Sequence, residues 1–308
     1  MSADEGKSCG GTIAVIGDLH SAWEVEDVGY FNRSDYPAVL VTGDLGRSRS
    51  QDGRGIARSL LQLVPETLVM LGNNDVEESP HIRAELTYRK GRADLLADAL
   101  PAGTVTPLRS EIARLAGFSL HPLNLNGLRV TVVAARPFSM GGPQLAFPDA
   151  LERAYGVTTM QKSIERLREL VDAVTTEHVV FLAHNGPTGL GAHPDDIWGR
   201  DFHPAAGDWG DPDLRIAIDH ALVRGLRVLA VVAGHMHWGL RDHSRDHSLS
   251  RRHWQVRSGG ILYLNAARVP RIFQSAGGAS VRHHVRLTLT SCSATAEEVL
   301  VADAACAE

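Results

Sequence analysis

Short apolar runs rich in β-branched residues recur along the chain, and each one ends at a glycine or a polar residue. Six of these runs predict buried strands: residues 12–16, 38–42, 67–71, 130–134, 178–183 and 228–233. Helix-like stretches lie between several of them and predict helices at residues 55–63, 80–100, 159–174 and 211–224. Strands that alternate with helices indicate α/β layers.

The last part of the chain has a different pattern. Apolar segments at residues 255–257, 261–265, 281–290 and 297–301 follow one another without helices and predict an antiparallel run of strands. We therefore expect two stacked sheets flanked by helices. No internal repeat or long low-complexity linker marks a boundary, so we predict a single domain over residues 1–308. Its core is predicted at residues 11–290, with frayed ends at residues 1–10 and 302–308.

Three irregular stretches interrupt this pattern. Residues 135–148 and 185–212 are rich in glycine and proline and too long for simple connections, so they are predicted to be loops over a site. Residues 241–252 carry four arginines together with His243 and His247. This last stretch is predicted to be a solvated hairpin or loop rather than a contact for an anionic ligand.

Polar residues follow five of the six predicted strands directly. They are Asp18 and His20, then Asp44, then Asn73, Asn74 and Asp75, then His184, and finally His235 and His237. Taken singly, each is weak evidence, because Asp or Asn after a strand often makes only a turn or a helix cap. Taken together they are stronger evidence. The carboxyl ends of strands in layered sheets meet at one crevice, so these side chains are expected to lie close together. Carboxylate, amide and imidazole ligands without thiolate suit Mn, Fe, Zn or Mg.

In their order and spacing, these motifs resemble the calcineurin-like metallophosphoesterase family. The family pattern is Asp-x-His, Gly-Asp, Gly-Asn-His-Asp or Glu, a lone His, and Gly-His-x-His, and the resemblance spans residues 17–237. It implies an α/β fold, a four-layer αββα sandwich of two mixed β-sheets flanked by helices. Residues 135–142 and 265–271 further resemble a branch of the family known from cyanobacteria and plants.

The resemblance also implies two divalent metal ions. One would be held by Asp18, His20, Asp44 and His237, and the other by Asp44, Asn73, His184 and His235, with Asp44 as the bridge. The implied activity is hydrolysis of phosphoesters, with a hydroxide between the two metals attacking phosphorus. Asp44 and Asn74 are the predicted catalytic residues.

Asn74 departs from the family pattern, which has a histidine at this position to protonate the leaving group. An amide supplies no acidic proton, although it can donate a hydrogen bond to a phosphoryl oxygen. The sequence therefore predicts a preference for phosphodiesters or activated monoesters. Asp75 orients that histidine in the family, and a role here as a turn residue alone is equally open.

Substrate contacts are predicted from charge and position. Arg136 follows a predicted strand, while Arg200, His203 and Trp198 lie in the long loop after His184. An arginine near a metal site can bind phosphate through two parallel hydrogen bonds. Together with Asn74, Arg136, Arg200 and His203 are the predicted substrate-binding residues.

Composition narrows the partners and the compartment. The net charge of −5 makes nucleic acid an unlikely partner, so a small phosphorylated substrate is expected. Only three cysteines occur, and no apolar run reaches the length of a membrane span, about 20 residues. A cytoplasmic or stroma-like compartment without membrane contact is predicted, and the oligomeric state is left open.

Other functions fit the same motifs. A catalytically weak protein of this fold can act as a protein-binding module, as one retromer subunit does, and the departure at Asn74 keeps that hypothesis open. A DNA-processing nuclease is disfavoured, because neither a capping domain nor a basic surface is evident. A nucleotide pyrophosphatase and a cyclic-nucleotide diesterase both remain open.

Overall fold

The architecture comes from a computed structural model, which describes residues 9–47, 52–84, 86, 113–201, 207–239, 250–275 and 277–302. In this part of the chain the strands are β1 Gly10–Ile16, β2 Ala38–Val41, β3 Glu66–Met70, β4 Ala113–Ala116, β5 Ser119–Leu125, β6 Leu128–Ala134, β7 His178–Leu182, β8 Arg227–Ala233, β9 Gln255–Ser258, β10 Ile261–Asn265, β11 Ile272–Gln274, β12 Ser280–Thr290 and β13 Ala294–Ala302. The helices are α1 Val25–Arg33, α2 Asp52–Leu60, α3 Pro148–Tyr155, α4 Met160–Asp172 and α5 Pro212–Val223, with a 3₁₀ turn at Asn73–Asp75.

Within the described residues the strands form two mixed sheets. The first sheet has the order β11-β12-β1-β2-β3-β4, in which β12 pairs with β11 and β1 along one edge and with β13 along the other. The second has the order β5-β6-β7-β8-β10-β9. Strands β1 to β4 run parallel in the first sheet, as do β6, β7, β8 and β10 in the second. Each sheet therefore has one edge where several strand ends lie side by side.

Alternation along the strands gives each sheet two apolar faces. Ile13 and Val15 of β1 pack into one buried cluster with Val130 and Val132 of β6, so this cluster lies between the two sheets. The opposite faces of the strands pack into a second cluster with residues of the helices, for example Ile16 with Phe31 of α1. The predicted α/β fold, two mixed sheets with helices on their outer faces, is confirmed.

Strand register aligns the ends that matter for the site. Ile16 of β1 pairs with Val41 of β2, and Val41 pairs with Val69 of β3. In the second sheet, Leu182 of β7 pairs with Val232 of β8. The segments that follow these strands consequently start at one level.

Several elements differ from the sequence-based expectation. The late strands do not form one antiparallel run, because β10 joins the second sheet parallel to β8 while β11, β12 and β13 join the first. Helices α1 and α3 and strands β4, β5 and β11 were not predicted. The helix predicted at residues 80–100 lies mostly outside the described residues, although residues 79–84 are helical. Of the described helices, none has the length and apolar character needed to cross a membrane.

Candidate metal centre

The polar residues predicted from the sequence meet where the ends of the two sheets approach each other. The first sheet contributes Asp18 and His20 after β1, Asp44 after β2 and Asn73 after β3, and the second contributes His184 after β7 and His235 and His237 after β8. Six of these side chains fall into two groups able to hold an ion, with ligand atoms within 4.8 Å of one another in each group. The groups are Asp18, His20 and His237, and Asp44, His184 and His235.

The first group is built around two imidazoles. Nε2 of His20 lies 3.0 Å from Nε2 of His237, and the latter lies 3.7 Å from Oδ2 of Asp18. At these distances the two ring nitrogens and the carboxylate oxygen can bind one cation together. The ligand types and their spacing fit a divalent metal.

The second group includes Asn73, which lies beside it as predicted. Oδ1 of Asn73 is 3.0 Å from Nε2 of His184, and the same nitrogen is 3.5 Å from Oδ1 of Asp44. The His235 ring lies next to the His184 ring, with 5.0 Å between centroids. An amide oxygen, a carboxylate and two imidazoles thus surround this position.

The carboxylate of Asp44 reaches both groups. Its Oδ1 faces His184 of the second group, and its Oδ2 lies 3.5 Å from Nε2 of His20 in the first. One oxygen directed to each side is compatible with a carboxylate that bridges two ions.

Thr42, which was not predicted from the sequence to belong to the site, forms hydrogen bonds with one residue of each group. Its hydroxyl donates to Oδ1 of Asp18 at 3.2 Å, and its carbonyl accepts a hydrogen bond from Nδ1 of His184 at 2.8 Å. Since a carbonyl can only accept, Nδ1 carries the proton and Nε2 keeps its lone pair for a metal. The sequence does contain a sign of this role, because Thr42 is the one polar residue of the predicted strand 38–42.

The electrostatics of the site favour a bound cation. Asp18 and Asp44 are buried, and among the described residues neither forms an ion pair with lysine or arginine. Burial, together with the charge of Asp44, raises the pKa of Asp18. Burial alone would lower the pKa of His184, but the charges of Asp44 and Asp18 outweigh it and raise that pKa. Divalent ions would neutralise this concentrated negative charge.

Three of the predicted ligands have left-handed backbones. The φ angles are 42° for His20, 49° for Asp44 and 67° for His235. Residues other than glycine rarely adopt this conformation, and it costs on the order of 1–3 kcal/mol unless the surroundings hold it. Backbone hydrogen bonds supply that support, since the His20 amide donates to the Asp44 carbonyl at 2.7 Å and the His235 amide donates to the Asp18 carboxylate at 3.0 Å.

Asn74 and Asp75 have separate positions. The Asn74 backbone and side-chain amides donate to the two oxygens of Asp44, at 2.8 and 2.6 Å. Asp75 is buried and accepts from the amides of Gly72 and Leu45, each at 2.8 Å. Burial, followed by the charge of Asp44, raises the pKa of Asp75 to about 7. Its carboxyl group therefore joins two turns of the site, which agrees with the turn role weighed from the sequence.

Arg136 has a different position from the one expected of a substrate contact. Its side chain is 1% exposed, and its guanidinium lies 2.7 Å from Oδ2 of Asp213 and 3.0 Å from Oδ1 of Asp211. Ser139 and Ser163 donate to the same two carboxylates. Two carboxylates already neutralise this shielded cation, so the expectation of a phosphate contact is corrected to a structural role beneath the loops.

The other predicted contacts lie in the loop after His184. Arg200 stacks on the indole of Trp209, with 3.8 Å from its Cζ to the ring centroid. Trp198 is buried, and its Nε1 donates to the carbonyl of Gly234. His203 lies outside the described residues.

Two mixed sheets with candidate metal-binding groups at their strand ends are typical of phosphoesterases, and similarity to known proteins identifies the family. Residues 11–239 match the model of the calcineurin-like phosphoesterases. This match covers most of the 308 residues, and the chain belongs to that family. Its likeness to a cyanobacterial and plant branch is not confirmed. Among curated proteins, none matches the sequence significantly.

Solved structures resemble this chain at low sequence identity. TT1561 of Thermus thermophilus is 11% identical with a TM-score of 0.50, covering 94% of this chain and 98% of that one. Vps29 from Cryptosporidium parvum is 10% identical with a TM-score of 0.33, covering 96% of this chain and 100% of that one. The likeness to TT1561 concerns the fold alone, and the TM-score of the Vps29 match is too low to support an inference.

Proposed function

We propose that this protein is a dinuclear metal-dependent phosphoester hydrolase. The observation that carries the proposal is the position of Asp44, whose two carboxylate oxygens each lie 3.5 Å from an imidazole of a different group. A single shared carboxylate supports two ions held close together rather than two independent sites. Membership of the phosphoesterase family supports the reaction class.

The proposed ligands divide between the two ions. Asp18, His20, Asp44 and His237 would hold one, and Asp44, Asn73, His184 and His235 would hold the other. Their donor atoms are compatible with Mn, Fe, Zn or Mg. When bound, such a pair of cations activates water near neutral pH and neutralises charge that builds on the phosphoryl oxygens.

The protein's own contribution is mainly positioning. Thr42 and the His235 amide hold the Asp18 carboxylate, while the Thr42 carbonyl fixes the tautomer of His184. Asn74 lies beside Asp44 with a side chain that donates hydrogen bonds and releases no acidic proton. Leaving groups that depart without protonation should therefore react best, which favours phosphodiesters and activated monoesters.

We expect a small phosphorylated substrate rather than nucleic acid, because the net charge of −5 gives no attraction to a polyanion. Nucleotide pyrophosphate bonds and cyclic nucleotides both fall within this class. A reducing, cytoplasm-like compartment is also proposed, because the chain has three cysteines and two of them, Cys9 and Cys292, are exposed and free.

The test is hydrolysis by protein reconstituted with each candidate metal. The panel contains an aryl monoester, an aryl diester, cyclic nucleotides and dinucleotides, and the variants are Asp44→Ala and the exposed control Asp149→Ala. We expect Asp44→Ala to abolish turnover and Asp149→Ala to preserve it. Undiminished turnover in Asp44→Ala would contradict the two-metal mechanism. Tight metal binding by the wild type without hydrolysis of any substrate would favour a protein-binding module instead.

A further inference from the structure

Arg251 lies in the stretch predicted to be solvated, yet it is only 6% exposed. Its Nε donates to the carbonyl of His237 at 2.9 Å and to that of Met236 at 3.2 Å. These carbonyls belong to the turn that carries His235 and His237, which we call the ligand turn. The guanidinium therefore contacts the backbone of one proposed metal ligand, His237, and of Met236, which lies between the two histidines in the chain.

The same guanidinium also binds residues 194–201, which we call the strap. Nη1 donates to the carbonyls of Pro194, Asp196 and Gly199, at 2.9, 2.7 and 3.0 Å. Nη2 lies 3.3 Å from Oδ1 of Asp201. One buried side chain thus connects the strap to the ligand turn through five carbonyls and one carboxylate.

Two further side chains make the same connection. Nδ2 of Asn265 donates to the carbonyls of Met236 and Ile197, at 2.7 and 3.1 Å. Nε1 of Trp198, within the strap, donates to the carbonyl of Gly234 at 3.3 Å. The ligand turn is consequently held from several directions, although Arg251 makes most of the bonds.

This restraint matters because the turn has an unfavourable backbone. His235 has a φ of 67°, which a residue with a side chain keeps only when its surroundings fix it. Without the guanidinium, the carbonyls of Met236 and His237 would each lose a hydrogen-bond donor. The backbone of the turn would then be free to leave its unfavourable conformation. The two imidazoles would then be displaced from the positions that face Asp18 and Asp44.

We propose that Arg251 is a positioning residue that sets the affinity of the site for divalent cations by holding His235 and His237 in place. This inference rests on the proposed two-metal function. Arginine is suited to the role because its planar fork presents five donors in fixed directions, whereas a lysine ammonium is a compact point charge with three. Lysine at this position would keep the charge and lose most of the carbonyl bonds.

The experiment uses the full chain and Mn²⁺ as the probe. Arg251→Lys removes the fork. Asp201→Asn weakens the carboxylate partner of Arg251 and keeps the arginine itself, so it serves if the first variant does not fold. The matched control is Arg252→Lys, because Arg252 is the same residue type next along the chain, 50% exposed and paired with Asp195 of the strap. Calorimetric titration measures affinity, electron paramagnetic resonance detects coupling between paired ions, and melting without metal reports on the fold.

We expect Arg251→Lys to bind Mn²⁺ roughly 10- to 100-fold more weakly, as when other partners of metal ligands are removed. Its spectrum at two equivalents should lose the coupled signal, whereas Arg252→Lys should keep wild-type affinity and coupling. Asp201→Asn should shift affinity in the same direction by less.

Three results would overturn the inference. The first is wild-type affinity and coupling in folded Arg251→Lys, even if its melting temperature is lower, because the role of Arg251 would then be structural only. If Arg251→Lys does not fold, the same result in Asp201→Asn has this meaning. The second is an equal loss in Arg252→Lys. The third is a wild type that binds no Mn²⁺, which would remove the proposed function as well.

Discussion

The side-chain amide of Asn74 donates a hydrogen bond of 2.6 Å to Oδ2 of Asp44, and the Asn74 backbone amide donates one of 2.8 Å to Oδ1. One residue thus binds both oxygens of the carboxylate that joins the two ligand groups. Asn74 therefore stands at the proposed reaction centre, where the family pattern has a proton donor.

The first prediction concerns this position. Asn74→His should raise turnover of simple alkyl monoesters by roughly 100-fold, because an imidazolium can protonate a poor leaving group. Aryl esters, which leave unassisted, should gain much less. Turnover of both substrate types is measured beside Asn74→Ala, which should gain with neither. An Asn74→His variant without improvement on alkyl monoesters would contradict the assignment.

The second prediction concerns Thr42, whose hydroxyl donates to Asp18. Thr42→Val preserves the shape of the side chain and removes the donor, so affinity for Mn²⁺ should fall by about tenfold or more. The matched control is Thr67→Val, because Thr67 is also buried and donates instead to the carbonyl of Pro65. Calorimetric titration should separate the two variants, and equal affinities would refute the role of Thr42.

The third prediction uses the space beside Gly234. A Cβ here would lie 2.1 Å from Oδ1 of Asp18 and 2.5 Å from Oγ1 of Thr42, so Gly234→Ala must displace the carboxylate. Affinity for Mn²⁺ should fall more than in Thr42→Val.

Gly55 of α2 is the control for Gly234, because a Cβ there would meet nothing within 4 Å. Gly55→Ala should leave Mn²⁺ binding unchanged and raise the free energy of unfolding by about 0.5–1 kcal/mol. Metal titration and urea unfolding of both variants check this pair. Unchanged Mn²⁺ affinity in Gly234→Ala would count against the proposed place of Asp18.

The fourth prediction concerns stability in acid. Burial, followed by the charges of Arg271 and Arg286, lowers the pKa of His284 to about 3, and burial together with the charge of Arg268 does the same for His283. The folded protein thus keeps both imidazoles neutral at pH values where the unfolded chain protonates them. The unfolded state binds more protons between pH 6.5 and 3, so stability rises with pH across this window and is lost as the pH falls.

Each of these histidines should lower the free energy of unfolding by up to about 1.4 kcal/mol per pH unit below 6.5. His284→Phe, placed among the rings of Tyr30 and Phe31, should remove one such contribution and flatten the curve. Tyr36→Phe breaks the hydrogen bond to His284 but leaves the imidazole, so its slope should stay steep. Urea unfolding from pH 7 to 5 gives the slopes, and parallel curves for wild type and His284→Phe would contradict this account.

Much of the fold was predictable because its signals are local. Apolar runs followed by glycine and a polar residue predicted β1, β2, β3, β7 and β8 and the residues at their ends, and the structure brings those side chains together. Their assignment as metal ligands stays a prediction that the titrations above test. A local pattern was sufficient to predict that these side chains lie together. The reason is that parallel strands paired in register have their carboxyl ends at the same end of the sheet.

What the sequence did not reveal depends on partners far along the chain. Helix α1 has only nine residues, and its buried Asp27 is paired with Arg271 and Arg282, more than 240 positions away. Arg136 and Arg251 seemed to belong to surface loops, yet carboxylates and carbonyls of distant segments enclose them. A charged residue with no local partner is predicted to be exposed, because burial of an unpaired charge is costly.

The division of the proposed ligands between two sheets has a consequence for folding. Asp18, Asp44 and Asn73 end strands of the first sheet, whereas His184 and His235 end strands of the second. A partly folded chain with only one sheet in place holds an incomplete set of donors for either ion. If the proposed ions bind, their capture would therefore be a late event in folding, and they would act as a cross-link that stabilises the docking of the two sheets.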